Sequence, residues 1–194
     1  FIGSQMKIRL VVFDLDGTIV KSHENIYKAM IAALLKLNIF VAVDKTKFYQ
    51  MIGAHFEDIF KEMNIPVNDF NLFIKYYKEF YFHFIDSSTL YPNVIDTIKL
   101  LNQNGITVAL LTTKGQDQAE LNLKHFKLFD MFNYVMGRRP GLQHKPSPEP
   151  LLKICEDLGI SHTETIIVGD SELDILCGRN AGTRTCAVTY GYRS

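Results

Sequence analysis

The sequence predicts an α/β protein, a doubly wound parallel sheet core carrying an inserted all-helical cap, and three observations lead there. From Pro92 onward, short apolar runs of strand type alternate with segments of helical periodicity, the pattern of a parallel sheet joined by crossover helices. Between His23 and Asp86 the alternation stops and only helical periodicity remains. The interruption falls just after a first apolar run, Leu10-Val11-Val12-Phe13, which delivers Asp14-Leu15-Asp16-Gly17-Thr18 off its C-terminal end. The sheet therefore starts, is interrupted, and resumes: residues 1–19 and 88–194 form the core and residues 20–87 the cap.

Each element has its own signal. The first strand is expected over Lys7 to Phe13. A stripe of Ile26, Met30, Ala33, Leu34 and Leu37 marks a helix of about four turns. Two shorter helical pieces follow near Lys45 to Met51 and Phe56 to Met63, separated by Gly53 and closed before Pro66. Phe70, Phe73, Ile74, Tyr77, Phe80, Tyr81 and Phe84 then recur at helical spacing, so this aromatic stripe is expected to be cap core, with off-stripe Tyr76 and Phe82 left for the cap interface. Ser87-Ser88-Thr89 is the expected hinge. Beyond it come a helix at Val94 to Asn102, closed by Gly105, a buried strand from Ile106 to Leu111 ending in Thr112-Thr113-Lys114, and a helix from Gln116 to Phe126. A short strand at Tyr134 to Met136 precedes a breaker-dense loop, Gly137 to Pro148, and a helix from Pro150 to Gly159. Strand Thr165 to Val168, helix Ser171 to Asn180 and strand Thr185 to Thr189 complete the core.

Composition narrows the function classes. At 194 residues and 47% hydrophobic, the chain has material for a substantial core. Its 21 basic and 21 acidic residues cancel, so there is no basic field to collect nucleic acid, and a small-molecule partner is expected. No apolar run approaches a membrane span. Cys155, Cys177 and Cys186 form neither a disulfide framework nor a zinc spacing and are read as reduced core thiols, which predicts a cytoplasmic protein. Phe1 to Gln5 lack the pattern of a signal peptide and are set aside from the fold.

In a sheet of this class, ligands bind beyond the carboxyl ends of the strands. Three expected strands end in polar residues there: Asp14 and Asp16, Thr112 and Thr113, and Asp170 with Asp174; the breaker-dense loop can add Lys145. Such a set is too acidic to hold an anion unaided and asks for a hard divalent cation, with Mg²⁺ suited to few carboxylates plus phosphate oxygens. Asp14 and Asp16 lie two apart, so at a strand end their side chains point to one side, and Gly17 lets the chain bend away. One carboxylate can attack phosphorus in line while its neighbour protonates the leaving oxygen and then activates water. Asp170 and Asp174, four apart at a helix opening, share a face near its N-terminus. Thr112 can hydrogen-bond phosphoryl oxygens, and Lys145 can neutralise their charge.

Asp14-Leu15-Asp16-Gly17-Thr18, the strand ending in Thr112, Lys145-Pro146-Ser147-Pro148, and Val168-Gly169-Asp170-Ser171-Glu172-Leu173-Asp174 resemble, in order, the four motifs of the haloacid dehalogenase (HAD) superfamily. Tyr91-Pro92-Asn93-Val94 and the stretch from Ala181-Gly182-Thr183-Arg184-Thr185 through Tyr190-Gly191-Tyr192 are similar to its phosphoglycolate phosphatase-like branch. The resemblance implies a Rossmann-like core with a C1-type cap and a Mg²⁺-dependent phosphatase of a small phosphomonoester, phosphoglycolate-like or a sugar phosphate, working through an aspartyl-phosphate. It implies Asp14 as nucleophile and metal ligand, Asp16 as general acid/base whose backbone carbonyl also meets Mg²⁺, Thr112 and Lys145 on the phosphoryl group, Asp170 as metal ligand and Asp174 in support. Thr113 and Lys114, beside Thr112, and Gly53 and His55, in a glycine break resembling the family's substrate-selecting cap loop, are expected at the substrate. His23 and His144 are expected to be bystanders. An aspartate at position 16 implies phosphoryl rather than halide chemistry.

The chain departs from the branch at Thr113, often Asn, and at Asn93, usually Gly, and it stops at Ser194 where relatives carry a further segment. A β-phosphoglucomutase-like phosphotransferase and a non-catalytic regulatory relative that binds a phosphate ligand are the competing readings. The intact set of Asp14, Asp16, Lys145 and Asp170 speaks against the second. The expected partner is a small phosphate ester, without nucleic acid or membrane, for a monomer or homodimer.

Overall fold

In the computed structural model, which describes residues 7–193, the first strand β1 (Leu10–Phe13) is the centre of the sheet. The chain then forms β2 (Val20–Lys21) and the helical block α1 (His23–Lys36), α2 (Lys45–Gln50), α3 (Phe56–Glu62) and α4 (Phe70–His83), returning through β3 (Thr89–Leu90). The core resumes with α5 (Val94–Gln103), β4 (Thr107–Gly115), α6 (Gln116–His125), β5 (Tyr134–Arg138), α7 (Glu149–Leu158), β6 (Thr165–Gly169), α8 (Glu172–Ala181) and β7 (Arg184–Ala187). Five strands lie in the order β5-β4-β1-β6-β7, all parallel, the doubly wound arrangement expected. Phe1 to Gln5 lie outside the described residues.

The order reverses at β1: successive strands build outward through β4 and β5 on one side, then through β6 and β7 on the other. A crevice opens where neighbouring connections diverge in this way, above the carboxyl end of β1. Strand periodicity explains both faces of the sheet. Leu10 and Val12 pack with Ala109, Leu111 and Ile167 toward α7 and α8, while the alternate positions Val108 and Leu110 pack with Ile98, Ala119 and Leu123 of α5 and α6.

The helical block has a hydrophobic cluster of its own, running from Ile26 to Ile85 and centred on buried Met30, Phe48, Phe73 and Tyr81. Asp44 and Asp69 cap α2 and α4 by accepting from Lys47 N and Leu72 N. Tyr76 and Phe82 are half-buried against this same cluster. The stripe residue Tyr81 makes the reach toward the sheet instead, its hydroxyl donating to Asn122 Oδ1 at 2.8 Å.

The hinge is more ordered than Ser87-Ser88-Thr89 suggested. After a 3₁₀ turn at Ile85–Ser87, β3 pairs antiparallel with β2, Val20 opposite Leu90 and Lys21 opposite Thr89, so a two-stranded ribbon joins block and core. Strands of two residues carry too little alternation to be read from a sequence. Asn93 takes φ +63°, a left-handed conformation that Asn tolerates well, which is why it stands where glycine is usual. Cys155 and Cys177 are buried, but Cys186 is exposed because β7 is the sheet edge. Among the described residues, no helix is long and apolar enough to cross a membrane.

Candidate active site

Asp14 leaves β1 where the neighbouring β6 also ends, its backbone N–H donating to Val168 O at 2.9 Å, while β4 on the other side runs on to Gly115. Its carboxylate meets those of Asp170 and Asp174, one oxygen from each lying within 4.8 Å of the others. All three residues are buried, Asp174 completely. Bare backbone allows this approach: a Cβ on Gly17, whose φ is +89°, would stand 2.3 Å from Asp170 Oδ2, and one on Gly169 would stand 2.2 Å from Asp174 Cγ.

Among the described residues, Lys145 is the one cation inside the cluster. Its Nζ donates to Asp14 Oδ1 at 2.8 Å, Asp174 Oδ1 at 2.5 Å and Leu111 O at 3.1 Å, and the residue is only 4% exposed. A lone lysine before a proline reads as a solvated loop residue; here the loop carries it into the sheet end. Burial works against its charge, but the pairs with Asp14 and Asp174 outweigh this and hold Lys145 firmly protonated. Asp14 goes the other way. Burial pushes its carboxyl well up; Lys145 pulls against this, and the carboxylates of Asp174 and Asp170 add to the rise. Asp170 is also raised, first by burial, although the Tyr192 N–H opposes it.

The two helix-opening aspartates differ in their partners. Asp174 closes a capping box on α8, its Oδ2 accepting from Ser171 N and Oγ at 3.1 and 2.6 Å. Its other oxygen is on Lys145, so Asp174 chiefly anchors that lysine. Asp170 is held by Tyr192 N at 2.8 Å and Thr18 Oγ1 at 3.4 Å.

Asp16 stands apart from the three clustered carboxylates. Its Oδ1 accepts from Ser22 Oγ at 2.5 Å, and its Oδ2 pairs with Lys114 Nζ at 3.0 Å. Lys114 is itself buried and lies 4.4 Å from the centre of the Tyr81 ring. Burial disfavours its charge, yet Asp16, with Tyr77 and Asp14, more than compensates and leaves it raised. Two neighbouring aspartates thus sit on two different lysines, which gives them separate charge environments.

A cavity of about 90 Å³, open to solvent, joins the sheet end to the helical block and is lined by Asp14, Asp16, Thr112, Thr113, Lys114, Gly53 and His55 among others. Every residue expected at the substrate therefore borders one space, together with Tyr77, Phe70 and Ile74 of α4. The polar groups are not all free in it. Thr113 Oγ1 donates to Gly53 O at 3.1 Å, tying core to block; Thr112 Oγ1 accepts from Lys114 N at 3.2 Å. His144, expected to be a bystander, packs edge-on against His55 with ring centres 4.0 Å apart.

Ser22 and Tyr192 were not among the expected site residues. The Tyr192 hydroxyl accepts from Ser22 N at 2.6 Å and His23 N at 3.1 Å and lies 3.2 Å from Val20 O, so the last described turn grips the hinge next to the serine that holds Asp16. In the sequence, Tyr190-Gly191-Tyr192 stands only as part of the likeness to the branch and carries no signal of this contact. Tyr192→Phe is expected to cost about 1–3 kcal/mol by leaving two backbone donors unpaired, read as a lower urea midpoint at unchanged m; no shift would mean that the hydroxyl is dispensable to the hinge.

Comparison with known proteins follows the same outline. The sequence matches the haloacid dehalogenase-like hydrolase family over residues 11–188. It is 34% identical over 193 residues to the pyrophosphatase PpaX of Halalkalibacterium halodurans, covering 97% of this chain and 86% of that protein. It is 34% identical over 188 residues to the pyrophosphatase PpaX of Bacillus cereus, covering 95% and 85%. Among solved structures, a predicted phosphoglycolate phosphatase from Haemophilus somnus superposes with a TM-score of 0.82 at 27% identity, covering 98% of this chain and 89% of the other. A predicted phosphatase from Clostridium acetobutylicum does so at 0.84 and 25%, covering 97% and 88%. With the family's match spanning the sheet, the helical block and the clustered aspartates, the chain belongs to the haloacid dehalogenase-like hydrolase family and is a phosphatase of it.

Proposed function

We propose that the protein is a Mg²⁺-dependent phosphatase of a small phosphate compound, acting through an aspartyl-phosphate on Asp14. The supporting observation is the grouping of three buried carboxylates around a single lysine at the end of β1, with a fourth carboxylate on a lysine of its own. Three anions and one cation leave a net negative site built only of hard oxygens, which fits a divalent cation and repels an unescorted phosphate. Asp14 and Asp170 would hold the ion together with the Asp16 backbone carbonyl, and Asp174 would support them through Lys145. The bound ion would supply charge neutralisation between the Asp14 carboxylate and the phosphoryl oxygens.

The chain's own groups account for the rest. An Asp14 oxygen forms a bond to phosphorus as the bond to the leaving oxygen breaks, and Asp16 gives that oxygen its proton. Water then attacks the phosphoryl group, its proton passes to Asp16, and phosphate leaves with Asp14 restored. Lys145 and Thr112 stabilise the equatorial oxygens. Residues 20–87 are taken as a cap whose Thr113–Gly53 tie and α4 face exclude water while the phospho-enzyme exists.

Wild-type protein is expected to release phosphate from p-nitrophenyl phosphate with Mg²⁺ and to stop on adding EDTA; turnover in EDTA at the same rate would refute the metal requirement. Asp170→Asn separates the metal site from the fold. Asp170 has a raised folded-state pKa, so its ionised form costs stability at neutral pH, and that cost is relieved as pH falls through the folded value. In EDTA at pH 7 the variant should therefore melt above wild type by a few degrees, at about 2–4 °C per kcal/mol, with the gap closing on acidification. Mg²⁺ should raise the melting point of wild type alone, and an equal rise in both proteins would remove Asp170 from the site.

A further inference from the structure

Two arginines stand where β5 gives way to its loop, Arg138 ending the strand and Arg139 following it, and they are used differently. Arg139 is spent on the fold, donating from Nε to Gln116 Oε1 at 3.0 Å and from Nη2 to Val135 O at 3.0 Å. Arg138 is exposed and its guanidinium meets no carboxylate among the described residues; its Nη1 lies 2.9 Å from Nδ1 of His55. His55 in turn has His144 against its ring and an Nε2 that is buried without a hydrogen-bond partner. Arg138 and His55 both line the cavity that contains Asp14.

This is an odd use of charge. Three groups able to carry positive charge are packed together, and burial, with the neighbouring His144 and Arg138, lowers the imidazole's pKa while Asp58 draws it back. A guanidinium beside a neutral imidazole has unfilled donors, and Arg is the side chain best shaped to take a carboxylate or phosphate. Arg138 comes from the core and His55 from the helical block, so an anion held by both would also bridge them.

We propose that Arg138 and His55, with His144 behind them, form an anion-binding subsite on the solvent side of the catalytic cavity, which takes a second anionic group, carboxylate or phosphate, of the phosphorylated substrate. The assignment rests on the phosphatase reading and narrows it: substrates with a second negative charge are preferred over esters of neutral alcohols.

The test compares 2-phosphoglycolate, pyrophosphate and p-nitrophenyl phosphate, the last lacking a second anion, with wild type, Arg138→Ala and Arg138→Lys. Losing a charge-assisted hydrogen bond predicts that Arg138→Ala lowers kcat/KM by about 10- to 100-fold more for one or both doubly anionic substrates than for p-nitrophenyl phosphate, mainly through KM. Arg138→Lys should recover part of the loss. Preference for 2-phosphoglycolate over pyrophosphate, or the reverse, identifies the second group as carboxylate or phosphate. An equal loss on all three would mean a structural role and would overturn the subsite. Calorimetric titration of Asp14→Asn with 2-phosphoglycolate and pyrophosphate, with and without Arg138→Ala, reads binding without turnover. If wild type hydrolyses none of the three, the phosphatase reading fails on its own; Arg138-dependent binding in this second assay would still support the subsite, and binding indifferent to Arg138 would overturn it.

Discussion

Asp14→Asn is expected to lower phosphate release by about four to six orders of magnitude, the scale on which loss of a covalent nucleophile acts. The amide cannot attack phosphorus, yet it can still accept from Lys145, so the fold should persist. Steady-state release of phosphate from p-nitrophenyl phosphate measures the first effect, and near-ultraviolet circular dichroism checks the second. Mass spectrometry of rapidly quenched wild type should find a phosphoryl adduct on the peptide carrying Asp14. Adduct on another residue, or a variant within tenfold of wild type, would move the nucleophile elsewhere. A requirement for a sugar bisphosphate, with no free phosphate formed, would instead favour the phosphotransferase reading.

Lys145→Met should have the largest effect on stability. Methionine keeps the aliphatic stem but removes the only cation between Asp14 and Asp174. Removing one partner of a buried pair leaves an uncompensated charge and costs about 3–5 kcal/mol, or about 6–20 °C in a chain of this size. Because Lys145 is held charged well above neutrality, the deficit should be complete at pH 7 and should shrink as acid protonates Asp14, whose carboxyl is already raised by burial. Mg²⁺ should restore part of the melting point while activity stays low. A variant as stable as wild type in EDTA would mean that the carboxylates are protonated in the resting protein.

Much of this site was legible because its residues sit at places where sequence and geometry are rigidly linked. The apolar runs of parallel strands stop at one edge of the sheet, so Asp14, Thr112 and Asp170 arrive there together, although β4 itself continues through Thr112 to Gly115. Lys145 was legible only by its motif, since a loop of glycines and prolines has no periodicity from which a direction can be derived. Asp16 shows the limit. Spacing placed it beside Asp14, but no periodicity says that its carboxylate turns to Ser22, six residues on, and to Lys114 on β4. Long-range partners of this kind, Tyr192 on Ser22 and Arg138 on His55, lie 170 and 83 residues from what they touch. The β2–β3 ribbon was missed for the opposite reason, being too short to have a pattern.

That ribbon has a consequence for how such proteins diversify. Val20 and Leu90 face each other across a hydrogen-bonded pair, so the chain comes back to the place it left, and the sheet on either side is continuous without what lies between. Whatever is spliced between these two positions need only span a hairpin's width. The catalytic edge can therefore be inherited whole while its roof is exchanged, lengthened or pared down to a turn, and new specificities can be assembled without reopening the chemistry.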